Sequence, residues 1–156
     1  MLTVAVLGVL EVIRDGHHVL VPAGKTSELV ARLALEPGEL VRADRLVEDL
    51  WATDGVSVRR NTLQSKITML RRALGDSALI MSRDGGYALA VQPSDVDAHA
   101  ALSATTTASG LFEAGNDVGA ADLCASTLRL YRGDVLQAAG DGDWVSPYRA
   151  RARRLP

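Results

Sequence analysis

The sequence predicts an α+β unit of short antiparallel strands, three helices and a closing hairpin, followed by an all-helical segment. Three observations carry this expectation. The first twenty residues alternate and are rich in β-branched side chains. From Gly24 to Leu74 the apolar period becomes helical. After one further hairpin pattern, only helical patterns remain.

In the first segment Val4, Val6 and Val9, then Val12-Ile13, then Val19-Leu20 read as strands, with Asp15-Gly16 as a tight turn between the last two. The run is too short and too soon interrupted, by Glu11 and Arg14, for a signal peptide or membrane span. A first helix is expected from Gly24 to Leu35, with Leu29, Val30, Leu33 and Leu35 mostly on one face and Pro37-Gly38 as its stop. A second runs from about Ala43 to Trp51, with Asp44 at its positive end and Asp54-Gly55 breaking it.

The third helix, Ser57 to Leu74, is the clearest. Ser57 is its expected N-cap, Gly75 its stop, and Leu63, Ile67, Leu70 and Leu74 fall within about 60° of one another at the helical 100° per residue. Leu79-Ile80-Met81 and Tyr87-Ala88-Leu89 then flank Arg83-Asp84-Gly85-Gly86 as a second hairpin. This unit is expected to end near Val91, with residues 92–95 as a linker. Beyond it come helices from Asp97 to Ala114 and Val118 to Leu130, joined by Gly115-Asn116-Asp117, and a last one from Trp144 to Leu155. Two antiparallel helices on a short turn resemble one unit of a tetratricopeptide-like helical-repeat array. The last helix has no successor to pack against, so the sequence reads either as part of a larger regulator or as a face covered by a partner.

Composition bounds the function. At 47% hydrophobic and 23% charged, the chain has enough apolar residues for a packed core, which excludes disorder. One cysteine, Cys124, cannot form an internal disulfide and suits a reducing cytoplasm; in a helical pattern it reads as a buried small hydrophobe. The net charge of −2 argues against nucleic acid until its distribution is considered. Residues 56–75 hold Arg59, Arg60, Lys66, Arg71 and Arg72 and no acid, a +5 window that leaves −7 on the rest. A basic stripe on an acidic body is a directed electrostatic footprint.

Opposite the apolar stripe of the third helix lie Asn61, Ser65, Thr68, Met69 and Arg72, with Thr62 and Lys66 on one flank and Gln64 and Arg71 on the other. Such a face of donors and cations suits base edges and phosphates. A solvated amphipathic helix, with Arg71 and Arg72 complementing its negative end, is the plainer alternative. Two features favour the duplex: ordinary surface helices intersperse acids, and the hairpin carrying Arg83 stands where a winged helix sets its wing.

The run Arg60-Asn61-Thr62-Leu63-Gln64-Ser65-Lys66-Ile67-Thr68-Met69-Leu70-Arg71-Arg72-Ala73-Leu74, then Gly85-Gly86-Tyr87, resembles the winged helix of OmpR/PhoB-type regulators. The Streptomyces antibiotic regulatory protein (SARP) family is the nearer resemblance. Val41 to Trp51 is similar to its second helix, while Val96-Asp97-Ala98-His99, Leu130 to Leu136 and Trp144 are similar to the start of its bacterial transcriptional activator domain. The resemblance spans essentially the whole chain. It implies a winged-helix domain over residues 1–91 and a partial activator domain over 96–156. It also implies a cytoplasmic actinobacterial activator that binds promoter direct repeats as a dimer and contacts RNA polymerase. Asn61, Thr62, Ser65, Lys66, Thr68, Met69 and Arg72 are then the groove-facing set, with Arg83 in the wing and Arg59 and Arg60 as further DNA-binding residues. Departures are Met69, where relatives commonly carry arginine; Ala43, in place of a Ser or Thr cap; and Thr105-Thr106-Thr107 within a helix.

Other signals lead nowhere. Gly24-Lys25-Thr26 lacks the glycine a phosphate loop needs at position 19, where Val19 stands. His17-His18 in a strand face opposite ways, so a metal site is not expected. Arg132-Gly133-Asp134 reads as a chance tripeptide. No catalytic constellation, cofactor or metal is expected. A protein-interaction module with a vestigial winged helix, or the N-terminal piece of a larger signal-responsive regulator, are the competing readings.

Overall fold

The computed structural model describes residues 1–51, 56–139 and 143–153, with side chains for all of these but 56–60, 138 and 151–153. Strands β1 (Leu2–Ala5), β2 (Glu11–Arg14) and β3 (His17–Val19) form an antiparallel sheet in that order. Asp15 and Gly16 make the β2–β3 turn at φ 51° and 82°. Both angles are positive, as a two-residue turn matched to strand twist requires. His17 and His18 are both exposed.

Helix α1 (Lys25–Ala34) is the centre of the molecule. Every residue from Leu29 to Ala34 is buried, so it is wrapped on all sides. Strand β4 (Val41–Arg42) leads into α2 (Ala43–Leu50), and α3 (Val56–Leu74) follows. Leu63, Ile67, Leu70 and Leu74 are each at most 2% exposed, so the stripe expected from their spacing is the buried face. α3 begins at Val56, so Ser57 lies inside the helix and is not its N-cap; the residues that precede Val56, including Asp54-Gly55, lie outside the described residues. A one-residue turn over Gly75, at φ 75°, ends it.

Strands β5 (Ile80–Arg83) and β6 (Gly86–Leu89) form the second hairpin, with Asp84 and Gly85 at φ 50° and 77°. The sheet order is β4-β6-β5. Gly86 is obligatory where β4 crosses it: a Cβ there would stand 2.6 Å from the carbonyl oxygen of Val41. Strands, three helices and a closing hairpin are the winged-helix arrangement expected from the sequence.

Residues 93–95 form a short 3-10 turn closed by a reciprocal Gln92–Asp95 capping box. Helices α4 (Asp97–Glu113) and α5 (Asp117–Leu128) pack antiparallel, and α6 (Val145–Arg153) follows an irregular stretch. The expected last helix is therefore observed to Arg153, and Leu155 lies outside the described residues. Thr105, Thr106 and Thr107 lie within α4 despite their low helix propensity, each hydroxyl donating to the carbonyl four residues back, at 2.9, 3.3 and 3.1 Å. Cys124 is only partly buried in α5, not buried as its helical setting suggests.

The helical segment is anchored to the end of β1. The Asp97 carboxylate accepts from the amides of Val6 and Leu7 at 2.7 and 3.0 Å. Leu136 N–H donates to the Val6 carbonyl and Arg132 N–H to that of Leu7, both at 2.8 Å. Val96, Leu136, Ala139, Trp144 and Val145 join the same buried cluster as α1 and α3.

One buried charge ties these parts together. Arg32 of α1 is 3% exposed; its Nε donates to Asp49 of α2 at 2.9 Å, an η nitrogen donates to Glu36 at 2.5 Å, and its guanidinium lies 5.8 Å from the Trp144 ring centre. Burial works against the cation, but its hydrogen bonds to the Glu36 and Asp49 carboxylates outweigh it and hold the pKa above its ordinary value.

Candidate nucleic-acid interface

A helix can present side chains to a groove only if its other face is fixed, and the four buried residues of α3 fix it. Asn61, Ser65, Thr68, Met69 and Arg72 are exposed on the opposite side, with Thr62 and Lys66 half-buried on one flank. The backbone of Arg59 and Arg60 belongs to α3, but their side chains lie outside the described part, so the expectation for them is neither met nor refused.

The basic residues of α3 divide by partner. Arg71 turns away from the outward face: its Nε and one η nitrogen donate to the carbonyl of Ile80 at 3.3 and 2.7 Å. This cation braces α3 against the base of the hairpin. Arg72, one residue on, points outward and is exposed. Lys66 leans along the helix, its Nζ 3.9 Å from the Met69 sulfur. Thr68 donates its hydroxyl to the Gln64 carbonyl, a bond that leaves its methyl and oxygen lone pair facing out.

Arg83 stands beside the hairpin turn, 73% exposed, with the Asp84 carboxylate 3.8 Å from its Nε. The tip is therefore a paired charge, weaker in field than the arginine alone suggests. Between α3 and the hairpin runs a cleft lined by Arg42, Asp44, Gln64, Ser82, Gly85 and Tyr87 among others. Arg42 was not among the candidate residues of the sequence, and Gln64 was read only as flanking the outward face; both sit in the runs that carry the resemblance. The signal that could have found Arg42 is its place one residue before α2.

The missing Ser or Thr cap at the start of α2 has a substitute. Ala43 N–H donates to the Gly85 carbonyl at 2.9 Å, so a backbone oxygen of the hairpin turn does what a side chain would do. The same bond fixes the hairpin relative to α2. α3, α2 and the hairpin thus form one rigid surface, braced at Arg71 and at Ala43.

Among the described residues no group of His, Cys, Asp and Glu could hold a metal ion, and no helix is long and apolar enough to cross a membrane.

A family model described as "Transcriptional regulatory protein, C terminal" matches residues 19–89. The chain is 33% identical over 127 residues to the transcriptional regulator RedD of Streptomyces coelicolor, which covers 77% of this chain and 36% of RedD. It is 31% identical over 140 residues to the regulatory protein DnrI of Streptomyces peucetius, covering 83% of this chain and 52% of DnrI. Among solved structures, Mycobacterium tuberculosis EmbR, determined in complex with a low-affinity phosphopeptide, superposes with a TM-score of 0.88 at 25% identity. That superposition covers 97% of this chain and 41% of the EmbR chain. The chain spans about a third to a half of the length of these proteins. The match over α1 to β6, the two Streptomyces relatives and the EmbR architecture agree: the chain carries an OmpR/PhoB-type winged helix and is similar to SARP-type transcriptional regulators.

Proposed function

We propose that the chain binds duplex DNA by laying α3 in the major groove and the β5–β6 hairpin in the adjacent minor groove. The observation that carries this reading is the outward face of α3: Asn61, Ser65, Thr68 and Arg72 exposed, opposite a fully buried stripe, in a 20-residue window without an acid. Ser65 and Asn61 supply donors and acceptors of a length that reaches base edges, while Arg72 and Lys66 supply cations. Similarity to transcription regulators supports the same partner.

In this reading residues 1–91 are the DNA-reading unit, residues 92–95 the join, and residues from 96 the start of an activator domain. Two chains sit on direct repeats near a promoter, their recognition helices about one helical turn of DNA apart or a multiple of it. The activator domain makes contact with RNA polymerase, and the outcome is activation.

The test is a gel shift across a salt series with promoter DNA. Binding weakens steeply with salt, each neutralised phosphate contributing roughly −0.9 to the log–log slope. Lys66→Ala and Arg72→Ala each reduce affinity, and either one that meets a phosphate reduces the slope by about that unit. Salt-insensitive binding, or none at low salt with capture of a single protein partner instead, refutes this reading in favour of an interaction module.

A further inference from the structure

Met69 is 37% exposed at the middle of the outward face of α3, one turn from Ser65 and from Arg72. It is the one large apolar side chain on that face among the described residues. Its neighbours on the stripe are polar or cationic, and Lys66 lies along it with Nζ 3.9 Å from the sulfur, so the thioether is steadied against the helix. The major groove offers only one apolar group to such a side chain, the C5-methyl of thymine. A polarisable, unbranched thioether fits an isolated methyl well and has nothing to give to the oxygen or nitrogen edges around it.

Resting on the reading that α3 enters the major groove, we propose that Met69 is a specificity-determining residue that reads a thymine methyl. Arg72 lies three residues further along, about 4.5 Å on the helix axis, against about 3.4 Å per base step. The thymine therefore stands one or two base pairs from the base or phosphate that Arg72 meets.

The test uses the full chain and a random 30-base-pair duplex pool. Rounds of selection at low salt yield a bound sequence, which is then resynthesised with 2′-deoxyuridine replacing thymine one position at a time. Uracil keeps every hydrogen-bonding group and loses only the methyl. At one thymine in each recognised half, affinity falls about fourfold, the weight of one buried methyl. In Met69→Ala that thymine-to-uracil difference contracts towards one, and in Met69→Leu it is retained. Met69 is exposed, so neither variant threatens the core.

If selection enriches a sequence but uracil is tolerated at every thymine, DNA binding stands and this assignment falls. Unchanged uracil sensitivity in Met69→Ala overturns it too, because another residue then reads the methyl. If no duplex is retained at low salt, the groove reading fails and takes this one with it.

Discussion

Removing the guanidinium of Arg32 strands two carboxylates where one cation now answers both. Among the described ion pairs, Arg32→Ala leaves Asp49 with the exposed Arg45, whose Nε is 3.7 Å away, and leaves Glu36 at the rim without the guanidinium. Breaking a buried pair from one side costs about 3–5 kcal/mol. Because Glu36 is 36% exposed and rehydrates, the low end applies, and the lost contact with the Trp144 ring adds roughly 0.5–1 kcal/mol. For a chain of 156 residues each kcal/mol shifts Tm by about 2–4 °C, so a loss of about 3.5–4 kcal/mol lowers Tm by about 7–16 °C. Urea unfolding of the single and double variants is the assay. Arg32→Met combined with Asp49→Leu replaces the pair with apolar surface, and recovers at least about 1 kcal/mol relative to the sum of the single changes. A loss under 1 kcal/mol for Arg32→Ala, or strict additivity in the double variant, refutes the idea that this charge ties α1, α2 and the Trp144 segment together.

Adjacent arginines on α3 are expected to behave oppositely. Arg71→Ala loses about 1–2 kcal/mol of stability, since its charged hydrogen bond to Ile80 goes, and changes the salt slope little; Arg72→Ala weakens DNA binding and leaves Tm in place. Paired thermal melts and gel shifts read both effects. Gly86→Ala forces β4 and β6 apart and costs about 1–3 kcal/mol, visible as a lower urea midpoint, whereas the same change at exposed Ser82 is nearly neutral. Burial raises the Asp97 carboxyl above its ordinary 3.8, against the pull of the Val6 and Leu7 amides and of Arg132. A folded pKa above the unfolded one means that this site's contribution is fully present below about pH 3.8 and is lost as pH rises through the folded value. A carbon-13 carboxyl titration reads the midpoint directly, and a value at or below 3.8 sinks the argument.

What could be read from the residues alone was whatever depends on near neighbours along the chain. The spacing of Leu63, Ile67, Leu70 and Leu74 is local, and so are Asp15-Gly16 and Asp84-Gly85; each is placed in the structure where its pattern puts it. The side of α3 that faces out follows from the same spacing. The job of Arg71 does not, because its partner is a backbone oxygen nine residues away across a turn. Arg32 was hidden for a related reason. Next to Glu36 it resembles a surface i,i+4 pair, and only Asp49 and Trp144, 17 and 112 residues further on, make it a buried one. Ser57 has the chemistry of a cap, but α3 starts one residue earlier. Cys124 has the habit of a core residue, yet in α5 it is only partly buried.

The anchoring of the helical segment has a mechanical consequence. Asp97, Arg132 and Leu136 all grip the backbone of Val6 and Leu7, just where β1 ends, and Val96 and Trp144 complete the core around α1. With bonds on both sides of the join, the α4–α5 hairpin has no free swivel. On the proposed duplex, whatever rotational setting α3 took would thereby be copied, turn for turn, to the tips of α4 and α5. Helical phasing of the site along the DNA would then decide which way that arm points.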